Sequence, residues 1–286
     1  MIEREQVYNF AIIIRGSLMD TGLSGKHIVV TGASGGIGME TAQLFLSEGA
    51  NVTGTYNCSK HNLEALKKSW PEQFFMVKTN QTKEADVKAL FDAANQAFGR
   101  VDVLVANAGI ANAEGKAVQD MTLEQWERTL SVNLTGTFLC AKYFFTNLER
   151  YKGDYASLIL IGSTAGFFGE AWYSDYSTTK AGMHGLLMSL KNEIVHLARN
   201  GRVNLVNPGW TLTPMAEEAL TDKDMVTRIL QTIPMRKTAV PSDIAGAILY
   251  LASDRLAGHV SGQTINVAGG MEGRLLFTPG EIESSD

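Results

Sequence analysis

From Lys26 onward the chain alternates short apolar runs with longer stretches in which apolar residues recur every three or four positions. The short runs are rich in β-branched residues and fall at 27–31, 51–56, 74–78, 101–106, 157–162, 203–207 and 264–267. Several are apolar throughout rather than alternating, the pattern of strands covered on both faces. The longer stretches, among them 38–47, 83–98, 122–148 and 177–199, carry helical periodicity. Strand and helix take turns along the chain. The spacing therefore predicts an α/β fold, a doubly wound parallel sheet with helices on both faces. No repeat, low-complexity tract or Pro/Gly/Ser-rich linker interrupts the rhythm, so a single domain over 23–270 is expected. Residues 1–22 are left as an N-terminal arm with little to order it, and 271–286 as a C-terminal tail.

Composition narrows the picture. The 286 residues are 45% hydrophobic, enough for a sizeable core. Net charge is −5 and no stretch is rich in Lys and Arg, which argues against a nucleic-acid partner. No apolar run reaches the ~18 residues of a membrane span. Glu3, Arg4 and Glu5 precede only a short apolar run at 10–14, unlike a secretory signal. No membrane partner and a cytoplasmic location are expected. Cys58 and Cys140 are too few and too far apart for a disulfide framework or a metal cluster, so free thiols and no metal site are expected.

The candidate chemistry begins at Thr31-Gly32-Ala33-Ser34-Gly35-Gly36-Ile37-Gly38, between the first strand and the first helix. Glycines there let the backbone turn tightly and approach a pyrophosphate, and the helix N-terminus presents free N–H groups to it. A second feature is Tyr176 with Lys180, four residues apart in a helical stretch and so on one face. A nearby ammonium favours the phenolate, which would bring a phenol of ordinary pKa near 10 closer to neutrality and fit it for proton transfer. The spacing alone is weak: of eight tyrosines, Tyr56 also has a lysine, Lys60, four residues on. Context separates them. Ser163 ends the fifth strand, 13 residues before Tyr176, whereas Tyr56 has no comparable serine.

Gly32, Gly36 and Gly38 in the order G-x-x-x-G-x-G, with Ser163, Tyr176 and Lys180, resemble the short-chain dehydrogenase/reductase family in its single-domain, Rossmann-type branch. The resemblance covers about residues 23–270 and implies a catalytic set of Asn133, Ser163, Tyr176 and Lys180, with Asn133 helping to hold a water that reaches Lys180. For the cofactor it implies Ser34, Ile37 and the glycines of the loop, then Tyr56, Asn57, Ser59 and Asn80 around the adenosine. Asn107-Ala108-Gly109 matches the family's N-A-G segment. Pro208, Gly209, Thr211 and Thr213 match its P-G segment beside the nicotinamide, where Tyr176 and Lys180 also lie. Two positions depart from the pattern: Asn80 and Ala268 each stand where the family usually has Asp. At the end of the second strand an acid would bind the ribose 2′-hydroxyl of NAD. Tyr56 stands there instead, which favours NADP(H) and leaves NAD(H) open. Glu170, Trp172, Tyr173 and Trp210 are the candidate substrate pocket, and 215–227 a candidate helical lid.

The implied reaction is hydride transfer between a nicotinamide and a carbonyl or alcohol carbon, first as an NADPH-dependent carbonyl reductase of small molecules. A 3-oxoacyl-thioester reductase, an NAD-dependent polyol or sugar dehydrogenase and a non-catalytic cofactor-binding regulator are the alternatives. A nucleotide-sugar epimerase would need a substrate domain, and the roughly 70 residues after Gly209 are too few. The family also implies a homo-oligomer, a tetramer or dimer built through the two long helices.

Overall fold

The structure, a computed structural model, describes residues 20–283. Seven parallel strands form one sheet: β1 (His27–Val30), β2 (Asn51–Tyr56), β3 (Phe74–Lys78), β4 (Val103–Ala106), β5 (Tyr155–Ile161), β6 (Asn200–Pro208) and β7 (Thr264–Val267). Their order is β3-β2-β1-β4-β5-β6-β7. The helices are α1 (Gly36–Ser47), α2 (His61–Ser69), α3 (Glu84–Phe98), α4 (Leu123–Leu130), α5 (Gly136–Arg150), α6 (Thr164–Phe168) and α7 (Ser174–Glu193). After β6 follow α8 (Glu217–Thr221), α9 (Lys223–Leu230), α10 (Pro241–Ala252), α11 (Asp254–Ala257) and α12 (Pro279–Glu283).

The period of two along each strand divides the apolar residues between two cores. Val30, Val52, Val103, Val105, Ile159 and Ile161 face one side, against Phe45 of α1, Leu63 of α2 and Ile248 of α10. Val29, Leu104, Leu158 and Leu160 face the other, against Leu90 of α3, Phe144 of α5 and Leu187 of α7. Each such side chain, fully withdrawn from water, contributes about 1.5–3 kcal/mol. This is why the strands read as continuous apolar runs, as parallel strands covered on both faces must.

The sheet order reverses between β1 and β4, and the chain leaves these two strands in opposite directions. A crevice opens there at the carboxyl ends, the usual ligand position in such sheets. Several elements shift by a few residues from their predicted extents, and α7 ends at Glu193 rather than 199; two of the differences bear on the site. The 122–148 stretch is interrupted: between α4 and α5, Ser131–Thr135 widens into a π-turn. The Val132 carbonyl accepts from Gln81 Nε2 (2.8 Å), so a side chain from another segment intrudes on the helix ladder. Helix α7 begins at Ser174, three residues before the predicted 177, which brings Asp175 and Tyr176 into its first turn.

Most of the predicted arm, residues 1–19, lies outside the described residues. Asp20–Gly22 pack on the body: Ser253 Oγ donates to the Thr21 carbonyl (2.6 Å), Thr21 Oγ1 to Glu48 Oε2 (2.8 Å), and Asp20 pairs with Arg255. At the other end, 271–283 folds back onto α9. The Leu276 N–H donates to the Gln231 carbonyl (2.7 Å), and Gln231 Nε2 to the Phe277 carbonyl (2.8 Å).

Candidate active site

The glycine turn after β1 is tied to the end of β4. Thr31 Oγ1 accepts from the N–H groups of Asn107 and Ala108 (3.0 Å each), and Asn107 Nδ2 donates to the Thr31 carbonyl (2.9 Å). Gly38 is required by space: a Cβ there would stand 2.3 Å from the Gly32 carbonyl oxygen. Gly36 has φ +48° and lies against Thr213, so the P-G segment after β6 reaches over the turn. Helix α1 starts at Gly36 without a side-chain cap and with no acid in its first turn. Its free N–H groups and partial positive charge therefore fit a pyrophosphate.

At the ends of β2 and β3 lies a cavity of about 420 Å³, lined by Asn57, Lys78, Asn80, Lys83, Asp86 and Ala89. Lys78 and Lys83 escaped the sequence reading, although a lysine two residues before Asn80 at a strand end was visible. Lys60, four residues after Tyr56, is paired with Glu64 (2.9 Å). Asn80 turns its side-chain oxygen to Thr82, accepting from its N–H (3.1 Å) and its hydroxyl (2.8 Å). These two bonds close a local turn after β3.

The remaining predicted residues converge between β4, β5 and α7. Ser163 leaves the end of β5 and caps α6, its Oγ accepting from the Ala165 N–H (3.1 Å). Its own N–H is held by Asn207 Oδ1 (3.1 Å), a residue of β6 that sequence reasoning passed over. Tyr176 is hydrogen-bonded to the Ser163 side chain. Burial raises the Tyr176 phenol above its ordinary value, and the Ser163 bond only opposes this. Lys180 is not among the groups that shift it. Lys180 Nζ lies 5.6 Å from the Tyr176 ring centre and is turned to the Ile161 carbonyl (2.9 Å). Burial lowers the lysine itself to about 8.

Asn133 sits buried in the π-turn. Its Oδ1 accepts from the Ile110 N–H (2.8 Å), and Nδ2 donates to the Ile110 carbonyl (2.9 Å) and Thr179 Oγ1 (3.2 Å). Three of the four bonds its amide can make go to protein, two of them to Ile110, so it braces the loop after β4. Gly109 lies between Asn133 and Lys180: a Cβ there would be 3.2 Å from Asn133 Oδ1 and 3.4 Å from Lys180 Nζ. Beside Pro208, the Gly209 N–H donates to the Val267 carbonyl (3.0 Å), and Thr211 Oγ1 donates to the Gly209 carbonyl (2.9 Å).

On the segments that follow Ser163 and β6, Phe167, Phe168, Trp172, Leu212, Met215, Met225 and Met235 are exposed, and Trp210 is half-buried. Trp172 adopts φ +67°, uncommon for a residue with a side chain, and its carbonyl accepts from the Lys116 N–H (2.8 Å). Tyr173 donates its hydroxyl to the Ala113 carbonyl (3.4 Å). Burial raises the Glu170 carboxyl. The predicted 215–227 lid resolves into α8 and α9. Among the described residues no group of His, Cys, Asp and Glu could hold a metal ion, and no helix is long and apolar enough to cross a membrane.

Comparison with known proteins bears on the family and the fold. A family model described as enoyl-(acyl carrier protein) reductase matches residues 32–272. The 3-oxoacyl-(acyl-carrier-protein) reductase of Thermotoga maritima is 34% identical over 252 residues, covering 87% of this chain and 98% of the relative. The corresponding reductase of a Synechocystis strain is 34% identical over 254 residues, covering 88% and 98%. A crystal structure from Brucella melitensis, described as a short-chain dehydrogenase/reductase and glucose/ribitol dehydrogenase, superposes with a TM-score of 0.79 at 32% identity. It covers 87% of this chain and 98% of the other.

Proposed function

Because the chain belongs to the short-chain dehydrogenase/reductase family, whose members are oxidoreductases of CH–OH and keto carbons, we propose that it reduces the keto group of a 3-oxoacyl thioester with NADPH. The observation that carries this reading is the meeting of Ser163, Tyr176 and Lys180 at the carboxyl end of β5, beside the glycine turn. The names of the 34%-identical relatives support the thioester, as do exposed apolar residues on the segments after Ser163 and after β6, among them Phe167, Phe168, Leu212 and Met215, which suit an acyl chain.

When bound, the dihydronicotinamide supplies the hydride. Gly32 to Gly38 and the first turn of α1 hold the pyrophosphate. Asn57, Asn80, Lys78 and Lys83 surround the adenosine end, where no acid stands at Tyr56 and two lysines against the one acid, Asp86, favour a 2′-phosphate. Thr211 and Thr213 reach toward the nicotinamide end. Ser163 and Tyr176 donate hydrogen bonds to the substrate carbonyl oxygen as negative charge develops on it. Tyr176 then releases its proton to that oxygen. A raised phenol pKa keeps this proton in place at neutral pH, which suits the reductive direction. Lys180 offsets the phenolate charge left behind. Exposed Phe138 on α5 and Met188 on α7 support self-association through these helices, and we take the protein to be a cytoplasmic homo-oligomer.

A second reading, oxidation of a polyol with NAD, draws on the description of the Brucella structure and on Glu170 at the mouth. Titration with NADPH and NADH, followed by turnover of an acetoacetyl thioester and of ribitol, separates the two. Tighter NADPH binding by about tenfold or more, which is about 1.4 kcal/mol, together with thioester reduction is expected. NADH preference with ribitol oxidation would replace the first reading by the second.

A further inference from the structure

Asp175 directly precedes Tyr176 in the first turn of α7 and is wholly buried. A carboxylate out of water is unfavourable unless its oxygens are satisfied. Both are. Oδ1 accepts from the Tyr176 N–H (2.8 Å). Oδ2 accepts from Thr129 Oγ1 (2.8 Å), Asn112 Nδ2 (2.9 Å) and Gln125 Nε2 (3.3 Å). All four donors are neutral, and among the described residues no cation pairs with it. The helix N-terminus is where such a charge is best tolerated. A capping role would need only helix N–H groups, whereas this carboxylate also gathers two donors from α4 and one from the loop after β4.

The neighbouring contacts show what this joins. Asn133 Nδ2 donates to Thr179 Oγ1, and Thr179 Oγ1 donates to the Tyr176 carbonyl (2.8 Å). The pairs Thr129–Asp175 and Asn133–Thr179 are each separated by 46 residues. They are therefore two rungs, one helical turn apart, between α7 and the segment running from α4 into the π-turn. Each rung ends on the residue just before a member of the Tyr176–Lys180 pair. Asn112 and Ile110, which the rungs also hold, lie in the loop that follows Asn107-Ala108-Gly109.

We propose that Asp175 is a positioning residue: through Thr129, Gln125 and Asn112 it fixes the start of α7 so that the Tyr176 hydroxyl meets Ser163 and the carbonyl above the cofactor loop. This rests on Tyr176 being the proton donor. Misplacement of a reacting group by about 1 Å can lower a rate by about a hundredfold.

The test compares Asp175→Ala, Asp175→Asn and Thr129→Val with wild type and with Tyr176→Phe. The readouts are NADPH-driven reduction of an acetoacetyl thioester, oxidation of ribitol, and the NADPH Kd from fluorescence titration. Asp175→Ala is expected to lower kcat by about a hundredfold, with KM and the NADPH Kd within about threefold of wild type. Asp175→Asn keeps an oxygen for the Tyr176 N–H and is expected to recover about tenfold of that loss, while Thr129→Val gives a smaller kcat loss of the same kind. If Asp175→Ala does not fold, the Asn and Val variants carry the comparison. Tyr176→Phe inactive while Asp175→Asn and Thr129→Val both keep wild-type kcat would overturn the positioning role alone. Parallel losses of kcat and NADPH binding would also overturn it, since they mark general unfolding. An active Tyr176→Phe would remove the proton donor and the positioning role together.

Discussion

Lys180 carries its ammonium where water is excluded, and burial holds its pKa down to about 8. Tyr176 beside it is pushed the other way and keeps its proton over the same range. A basic limb in the pH dependence of reduction therefore belongs to the lysine. The kcat/KM for reduction is expected to fall as pH rises through about 8, because the deprotonated amine no longer offsets the phenolate. Profiles from pH 6 to 10 test this, and an activity flat across that span would remove Lys180 from the proton-transfer step. His27 gives a stability prediction with a definite sign. Burial lowers its pKa below 6.5, and its ring is held by the Gly99 carbonyl (3.0 Å) and Thr53 Oγ1 (2.9 Å). Below 6.5 the unfolded chain takes up the proton first. Stability is thus complete above that value and declines as pH falls from 6.5 toward the lower folded pKa. Thermal melting at pH 7.5 and 5.5 should show the decline, and His27→Gln should flatten it. An unchanged acid sensitivity in the variant would assign the effect to another group.

At the scale of elements, α9 and the C-terminal segment act on each other. Gln231 follows α9 and exchanges two hydrogen bonds with Leu276 and Phe277. Arg236 lies over the Phe277 ring, 4.2 Å from its centre, and Gly273 abuts Phe168. This segment continues past the end of the family match at residue 272. Gln231→Leu removes one side-chain bond, worth about 1 kcal/mol. It should speed proteolytic cleavage in the 214–230 region severalfold, since local opening scales with lost local stability, and leave the NADPH Kd unchanged. An unchanged cleavage rate would show that α9 stands without the segment. None of this was legible in the sequence, where 271–286 shows neither strand nor helix periodicity and so read as a tail. The π-turn was hidden for a related reason. Gln81, which bonds into it, lies 51 residues upstream of Val132, and periodicity along 122–148 registers only what a helix buries, not what another segment inserts. Asp175 was likewise invisible: its meaning lies in Thr129, Gln125 and Asn112, which only folding brings to it.

Over the whole molecule, what could be read was what repeats locally. Alternate residues of one strand serve two cores, Val29 one and Val30 the other, so burial on both faces printed continuous apolar runs into the chain at β1, β4 and β5. The strand order, with its reversal between β1 and β4, came only from the fold, whereas the doubly wound parallel sheet followed from the alternation of strand and helix. The direction of the Tyr176 shift did not, because Y-x-x-x-K spacing gives proximity along a helix and says nothing of how far both groups are withdrawn from water. The reversal has a thermodynamic consequence. The glycine turn after β1, the Asn107 loop after β4 and Thr213 after β6 meet at one crevice, so a cofactor seated there joins parts of the sheet that local unfolding would separate. A ligand that binds only the folded chain stabilises it by about 2.7 kcal/mol at a hundredfold excess over Kd. For a domain of this size that is a rise in Tm of roughly 5–10 °C. NADPH at that excess should give this rise, and NADH at the same concentration a smaller one, because Lys78 and Lys83 have no 2′-phosphate to meet. Replacing both lysines by Met should bring the two shifts together by lowering that of NADPH. If the NADPH shift survives the replacement, the 2′-phosphate is held elsewhere and the cavity between β2 and β3 serves the base alone.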